Sequence, residues 1–200
     1  MSQRIGRVER QTRETQIRVE VNLDGSGAHE IATGIGFFDH MLTAVAVHGR
    51  LDLAVAATGD LAVSEHHTIE DVGIVLGLAV AHAVGDKRGI HRYGHAYIPM
   101  DEALARVVLD LSGRAYAHVE LPFRPSLGSK AFDYALVSEF LWGFARAAAC
   151  TLHADGLRSE NNHHLCEATF KAFARALHLA TRFDPALAGA LPSTKGSFDG

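Results

Sequence analysis

The chain has 200 residues, 48% hydrophobic and 21% charged, with a formal net charge of -4 at neutral pH. That balance supports one sizeable core and is too apolar for a disordered chain. The acidic excess argues against a nucleic-acid protein, which needs a dense positive field, so any anionic ligand must be met by local cations.

In chain order, residues 6–11 and 15–23 alternate in polarity. Ile17, Val19, Val21 and Leu23 share one face, the period of a half-buried strand. Asp24-Gly25-Ser26-Gly27 turns the chain, and residues 28–32 can return as a third strand. Phe37, Phe38, Met41, Leu42 and Val45 recur at helical spacing, which predicts a helix over 37–47. A fourth strand follows at 51–57, rich in Leu and Val, and then a helix over 68–84 that carries Ile69, Val72, Val75, Leu76 and Val80.

The second half repeats the order. Strands are predicted near 92–98, 103–109 and 114–121, a helix near 132–149, a strand at 151–154 and a helix at 163–180. The expected fold is α+β, with internally duplicated β-β-β-α-β-α half-domains whose two sheets pack around a layer of helices. Gly85-Asp86-Lys87-Arg88-Gly89 is the joint, so the single domain divides into repeats of about 1–88 and 89–182 with a tail at 183–200. Residues 1–14 mix Arg and Glu without an apolar core, and no stretch reads as long and apolar enough to span a membrane, which predicts a cytoplasmic protein. Cys150 and Cys166 fall in predicted helices and are expected to be reduced, buried side chains.

His-His-x-x-Glu occurs twice, as His66-His67-Thr68-Ile69-Glu70 and as His163-His164-Leu165-Cys166-Glu167, each opening a predicted helix. Residues four apart on a helix share a face, so His66 with Glu70, and His163 with Glu167, can each chelate one ion. The neighbouring His67 and His164 must look elsewhere. His40 lies 26 residues before the first cluster, and Glu139 lies 24 before the second. This predicts one ion at His40, His66, Glu70 and His164, and another at Glu139, His163, Glu167 and His67. Mixed imidazole and carboxylate ligands suit octahedral manganese or iron better than closed tetrahedral zinc. An ordinary polar helix start, where the dipole favours Glu, explains one copy as well as metal does. Two copies with the His40 and Glu139 parallel favour metal. His29, His82, His91, His95, His118 and His178 are lone histidines and are discounted.

Five runs carry a family resemblance: Gly-Phe-Phe-Asp-His-Met-Leu at 36–42, Glu-His-His-Thr-Ile-Glu-Asp-Val at 65–72, Pro-Met-Asp-Glu-Ala-Leu-Ala at 99–105, Leu-Asp-Leu-Ser-Gly-Arg at 109–114, and His-His-Leu-Cys-Glu-Ala-Thr-Phe-Lys-Ala at 163–172. With these the chain resembles the imidazoleglycerol-phosphate dehydratases of histidine biosynthesis over nearly its whole length. The resemblance implies a lyase with two Mn(II) ions per subunit and no organic cofactor, acting on a small phosphorylated substrate. It gives Glu14 a place near substrate as a proton shuttle. Apart from the resemblance, His48 is a further candidate for proton transfer if Glu14 takes no part. The resemblance matches Arg92, Arg114, Lys171, Ser193 and Lys195 to phosphate-holding positions. It also implies a hollow homo-oligomeric shell of 24 copies whose metal sites are shared between subunits. The chain departs from the family in two places: Glu139 stands where many members have His, and Thr43-Ala44 stands where Asp-Gln is common.

Two other functions fit the ligand set alone. One is a dinuclear phosphoester hydrolase, and the other is a non-catalytic metal cage, against which the strand-rich first 60 residues argue.

Overall fold

A computed structural model describes residues 4–125 and 132–198. The first half runs β1 (Ile5–Gln11), β2 (Thr15–Asn22), β3 (His29–Ala32), α1 (Gly36–Gly49), β4 (Asp52–Gly59) and α2 (His66–Val84). The second runs β5 (Tyr93–Met100), β6 (Ala103–Asp110), β7 (Tyr116–Glu120), α3 (Leu136–Ala147), β8 (Thr151–Arg158) and α4 (Asn162–Thr181), followed by a single 3-10 turn at Pro185–Leu187. The duplicated α+β order read from the sequence is the observed one.

Each half forms one four-stranded sheet, in the orders β1-β2-β4-β3 and β5-β6-β8-β7. Residues 29–32 do not return onto β2. The loop after β2 carries the chain to the far edge of β4, where β3 pairs in parallel with Leu53 to Ala56. The β7–β8 pair repeats this arrangement.

The alternation of β2 buries Ile17, Val19 and Val21 against the helices, while Gln16 and Arg18 face water. On β6, Ala105, Val107 and Leu109 do the same for the second sheet. Helix α2 lies on β1 and β2 and pairs with α3, whereas α4 lies on β5 and β6 and pairs with α1. Each helix pair therefore joins one half to the other. Five fully buried phenylalanines close this layer: Phe38 of α1, Phe140 and Phe144 of α3, and Phe170 and Phe173 of α4. Their rings meet with centroids 5.6 Å apart for Phe38–Phe140, 5.2 Å for Phe140–Phe170 and 4.8 Å for Phe144–Phe173. Truncating one to Ala is expected to cost about 3–5 kcal/mol.

Small residues set how closely the layers approach. A Cβ on Gly6 would lie 1.8 Å from the Ala79 carbonyl oxygen, and one on Gly94 would lie 1.9 Å from that of Ala176. Ala79 and Ala176 each stand thirteen residues after the first His of their repeat's His-His-x-x-Glu motif, so the two contacts are the same packing feature used twice.

Three local expectations change. Helix α3 begins at Leu136, not near 132, because Phe132 and Tyr134 leave the helical path to pack with Phe37, and Asp133 turns the chain by accepting from the Ala135 N–H. Strand β8 runs beyond residue 154 to Arg158 because a register shift at Leu104/Ala105 lets its pairing with β6 continue. Helix α2 is long and apolar enough to cross a membrane by length and composition, contrary to the sequence reading. It is buried between the first sheet and α3, where an all-round apolar surface serves the core.

Candidate active site

Both His-His-x-x-Glu motifs open their helices. The Asn161 side chain caps α4 by accepting the His163 N–H at 2.9 Å, and the Ser64 hydroxyl accepts the His66 N–H at 3.1 Å. One turn on, His163 Nε2 lies 3.2 Å from Glu167 Oε2, and His66 Nε2 lies 3.7 Å from Glu70 Oε2. The adjacent imidazoles diverge as helical geometry demands: interplanar angles are 78° for His66–His67 and 87° for His163–His164.

The grouping of ligands differs from the one read off the sequence. His40 does not stand with His66 and Glu70. Because α1 packs on α4, His40 Nε2 lies 3.3 Å from Glu167 Oε2, the same oxygen that His163 faces. The ligand atoms of His40, His163 and Glu167 all lie within 4.8 Å of one another, the spread of a single cation's donor set. Correspondingly, Glu139 sits on α3 beside α2, which carries His66 and Glu70, and not beside His163. There Arg146 of α3 reaches Glu70 Oε1 at 3.5 Å. Helices pair across the halves, so His40 meets the other repeat's His/Glu pair, and Glu139 stands on the helix that packs against the one bearing His66 and Glu70.

Glu167 is nearly buried and also takes Lys171 Nζ on Oε1 at 2.6 Å. Burial alone would raise its carboxyl, but hydrogen bonds from Lys171 and His40 outweigh it and hold the group at about 2. An ionised carboxylate with two imidazole nitrogens converging on one oxygen is a donor set suited to a divalent cation. Lys171 therefore stands beside this cluster, not with the other expected phosphate-holding residues.

His67 and His164 join neither group within the chain. His67 Nδ1 lies 3.1 Å from both oxygens of Asp60, and His164 Nδ1 lies 2.8 Å from Glu102 Oε2. These hydrogen bonds raise both imidazoles, and the His164 contact holds Glu102 at about 2. A carboxylate on Nδ1 fixes the ring and presents Nε2 outward, the arrangement found behind metal-bound histidines. Each Nε2 in turn faces a second carboxylate at 3.9 Å, Glu14 for His67 and Asp101 for His164. Sequence reasoning missed Asp60, Asp101 and Glu102 as supports. The signal was available for two of them, since Asp101 and Glu102 stand in the Pro-Met-Asp-Glu run.

Glu14 occupies the β1–β2 turn, where its N–H donates to the Thr12 hydroxyl at 3.1 Å, and its carboxylate is half exposed. His48 is remote from it, in the last turn of α1, where burial and then the Lys171 charge lower its pKa. Cys150 and Cys166 are free and buried, and burial pushes both thiols up, Cys150 to about 12. They are core side chains, as expected.

Arg92, Arg114, Ser193 and Lys195 come together, with Ser112, Thr194, Ser197 and Phe198, around a cleft of about 170 Å³. Arg92 is already engaged there, donating to both oxygens of Asp110 at 2.7 and 3.1 Å and to the Pro192 carbonyl at 2.8 Å. It holds the tail against β6, which leaves Arg114 and Lys195 as the cations facing the opening. Two cations among hydroxyls answer the local-charge requirement that the acidic chain sets for an anion.

A family model described as imidazoleglycerol-phosphate dehydratase matches residues 33–177, which hold every candidate metal ligand. The chain belongs to this family. The imidazoleglycerol-phosphate dehydratase of Methylibium petroleiphilum is 57% identical over 194 residues, 97% of each chain, and that of Cupriavidus taiwanensis is 55% identical over 195 residues, 97% of this chain and 99% of the relative. Among solved structures, the Pyrococcus furiosus enzyme, crystallised with (S)-C348, superposes with a TM-score of 0.82 at 39% identity, covering 95% of this chain and 99% of that one. The Staphylococcus aureus enzyme superposes at 0.77 and 40% identity, covering 90% and 99%. As an imidazoleglycerol-phosphate dehydratase family member, the chain is a hydro-lyase of histidine biosynthesis.

Proposed function

We propose that the enzyme removes water from D-erythro-imidazole glycerol phosphate to give imidazole acetol phosphate, with two manganese ions per subunit. The observation that carries the metal reading is the convergence of His40 and His163, from α1 and α4, on one oxygen of the ionised Glu167. Those three residues would hold one ion, and His66, Glu70 and Glu139 would hold the other. Bound there, manganese supplies Lewis-acid charge that favours the deprotonated substrate ring and its electron release toward the departing hydroxyl.

The chain's own groups do the rest. Arg114, Lys195 and the Ser193 hydroxyl hold the phosphate in the cleft, and Arg92 keeps the tail in place over it. Glu14, aimed by the β1–β2 turn toward His67, moves the proton on the carbon beside the ring. His67 and His164 have Nε2 turned away from their own chain's clusters. They complete the sites of neighbouring copies in a homo-oligomeric shell of 24, and a lone subunit has no finished site. Reduced, buried Cys150 and Cys166 agree with a cytoplasmic enzyme.

Turnover of imidazole glycerol phosphate by manganese-loaded and chelated protein tests this. Loss of water with phosphate retained, dependent on metal, is the expected result. Free phosphate identifies a hydrolase instead, and full activity in metal-free protein removes the metal.

A further inference from the structure

We propose that the outward face of the second sheet holds a further divalent-cation site, built by His118, Glu120 and Asp155 and suited to zinc. Strands β7 and β8 are parallel, with His118 directly opposite His153 and Glu120 directly opposite Asp155. Alternate strand residues share a face, so two imidazoles and two carboxylates form a square pointing away from the helix layer that carries His40, His163 and Glu167.

The ligand atoms of His118, Glu120 and Asp155 lie within 4.8 Å of one another, with His118 Nε2 3.8 Å from Glu120 Oε2. Ligand bonds to zinc of about 2.0–2.2 Å close that spread after small side-chain adjustments. Arg106 of β6 orients the third ligand. Its Nε and Nη2 both donate to Asp155 Oδ2, at 3.0 and 2.9 Å, so the guanidinium fixes the carboxylate and leaves Oδ1 uncommitted. Glu120 opposite Asp155 is a like-charge pair, which destabilises a sheet unless a cation lies between. Arg106 serves one side of that pair, and no arginine or lysine ion-pairs with Glu120 among the described residues. The His153 ring stacks beside this group, its centroid 5.6 Å from that of His118, and is not among its ligands. Imidazole with carboxylates favours zinc, nickel or copper over magnesium or calcium, and three protein ligands leave a position open.

Full-length, manganese-loaded protein equilibrated with excess zinc(II) tests the site. Zinc also competes for the helix-layer ligands, so the quantity to read is the sum of manganese and zinc per chain by elemental analysis. Wild type is expected to hold one ion per chain more than His118→Ala, and Glu120→Gln is expected to bind that extra ion at least about 10-fold more weakly. Both side chains face solvent, at 46% and 78% exposure, so the variants keep the fold, which thermal melting verifies. Equal total metal in wild type and both variants overturns the proposal. The difference between variants does not depend on how many ions the helix layer holds.

Discussion

The Thr15 hydroxyl donates to the Asp71 carboxylate at 2.6 Å in a buried contact that also takes the Arg10 guanidinium. Thr15 Oγ1 is in turn 3.2 Å from Thr12 Oγ1, which accepts the Glu14 N–H. Asp71 thus fastens the turn bearing Glu14 to the helix turn that follows His67. Asp71→Ala is expected to cost about 2 kcal/mol by leaving the hydroxyl and guanidinium without their acceptor, with partial exposure of Arg10 limiting the loss. It should also lower the rate at saturating substrate while metal content holds. Thermal melts and kinetics on metal-loaded protein check both.

His66→Ala and His163→Ala should each abolish turnover through different ions, because each is the first member of a separate His/Glu chelate. Manganese stoichiometry by elemental analysis is the measurement. Two tightly held ions and full activity in either variant would show the assignment to be wrong.

In metal-free protein, Glu167 makes stability depend on acidity. Its carboxyl ordinarily titrates near 4.5, and in the fold Lys171 and His40 overcome burial to hold it at about 2. A group depressed on folding contributes fully above 4.5, and that contribution is lost as pH falls from there through about 2. Urea midpoints followed across that window should fall steeply in wild type. Glu167→Gln should give a flatter acid limb.

Removing metal with a chelator should shift the particle to smaller species, with manganese reversing it. The motive is His67 and His164, whose outward Nε2 atoms find no ion-sized ligand group within the chain among the described residues. Light scattering decides, and an unchanged large particle in metal-free protein counts against shared sites.

What was legible in the sequence is what local periodicity encodes. The alternation of Ile17, Val19 and Val21 and the helical spacing of Ile69, Val72, Val75 and Leu76 mark surfaces that each element must bury, whatever it packs on. The doubled His-His-x-x-Glu gave both chelates because helix geometry alone brings residues four apart together. Pairing between elements is not local. Nothing in residues 29–32 says that they join β4 in parallel, and nothing near His40 says that α1 lies on α4. The sequence reading therefore set His40 with His66 and Glu70, whereas the fold stands it against His163 and Glu167. His118 has Glu120 beside it by strand alternation, but it acquires Asp155 only through the β7–β8 register.

The Glu14 prediction separates catalysis from folding. Its carboxylate lies 3.9 Å from His67 Nε2, half exposed at a turn whose backbone is fixed by Thr12, Thr15 and the Asp60 N–H that donates to the Glu14 carbonyl at 3.1 Å. Glu14→Gln preserves size and hydrogen bonding and leaves those backbone contacts intact, but the amide cannot exchange a proton. If Glu14 moves the proton beside the substrate ring, the rate should fall about 10²-fold or more, the usual scale for general acid–base catalysis. Metal content and particle size should stay as in wild type. An ordinary surface carboxylate on a strand would lose little on so nearly isosteric a change. Single-turnover kinetics on metal-loaded protein at saturating substrate makes the distinction. A wild-type rate there takes Glu14 out of the proton transfer and leaves His48, on the α1–α4 side of the molecule, as the next group to test.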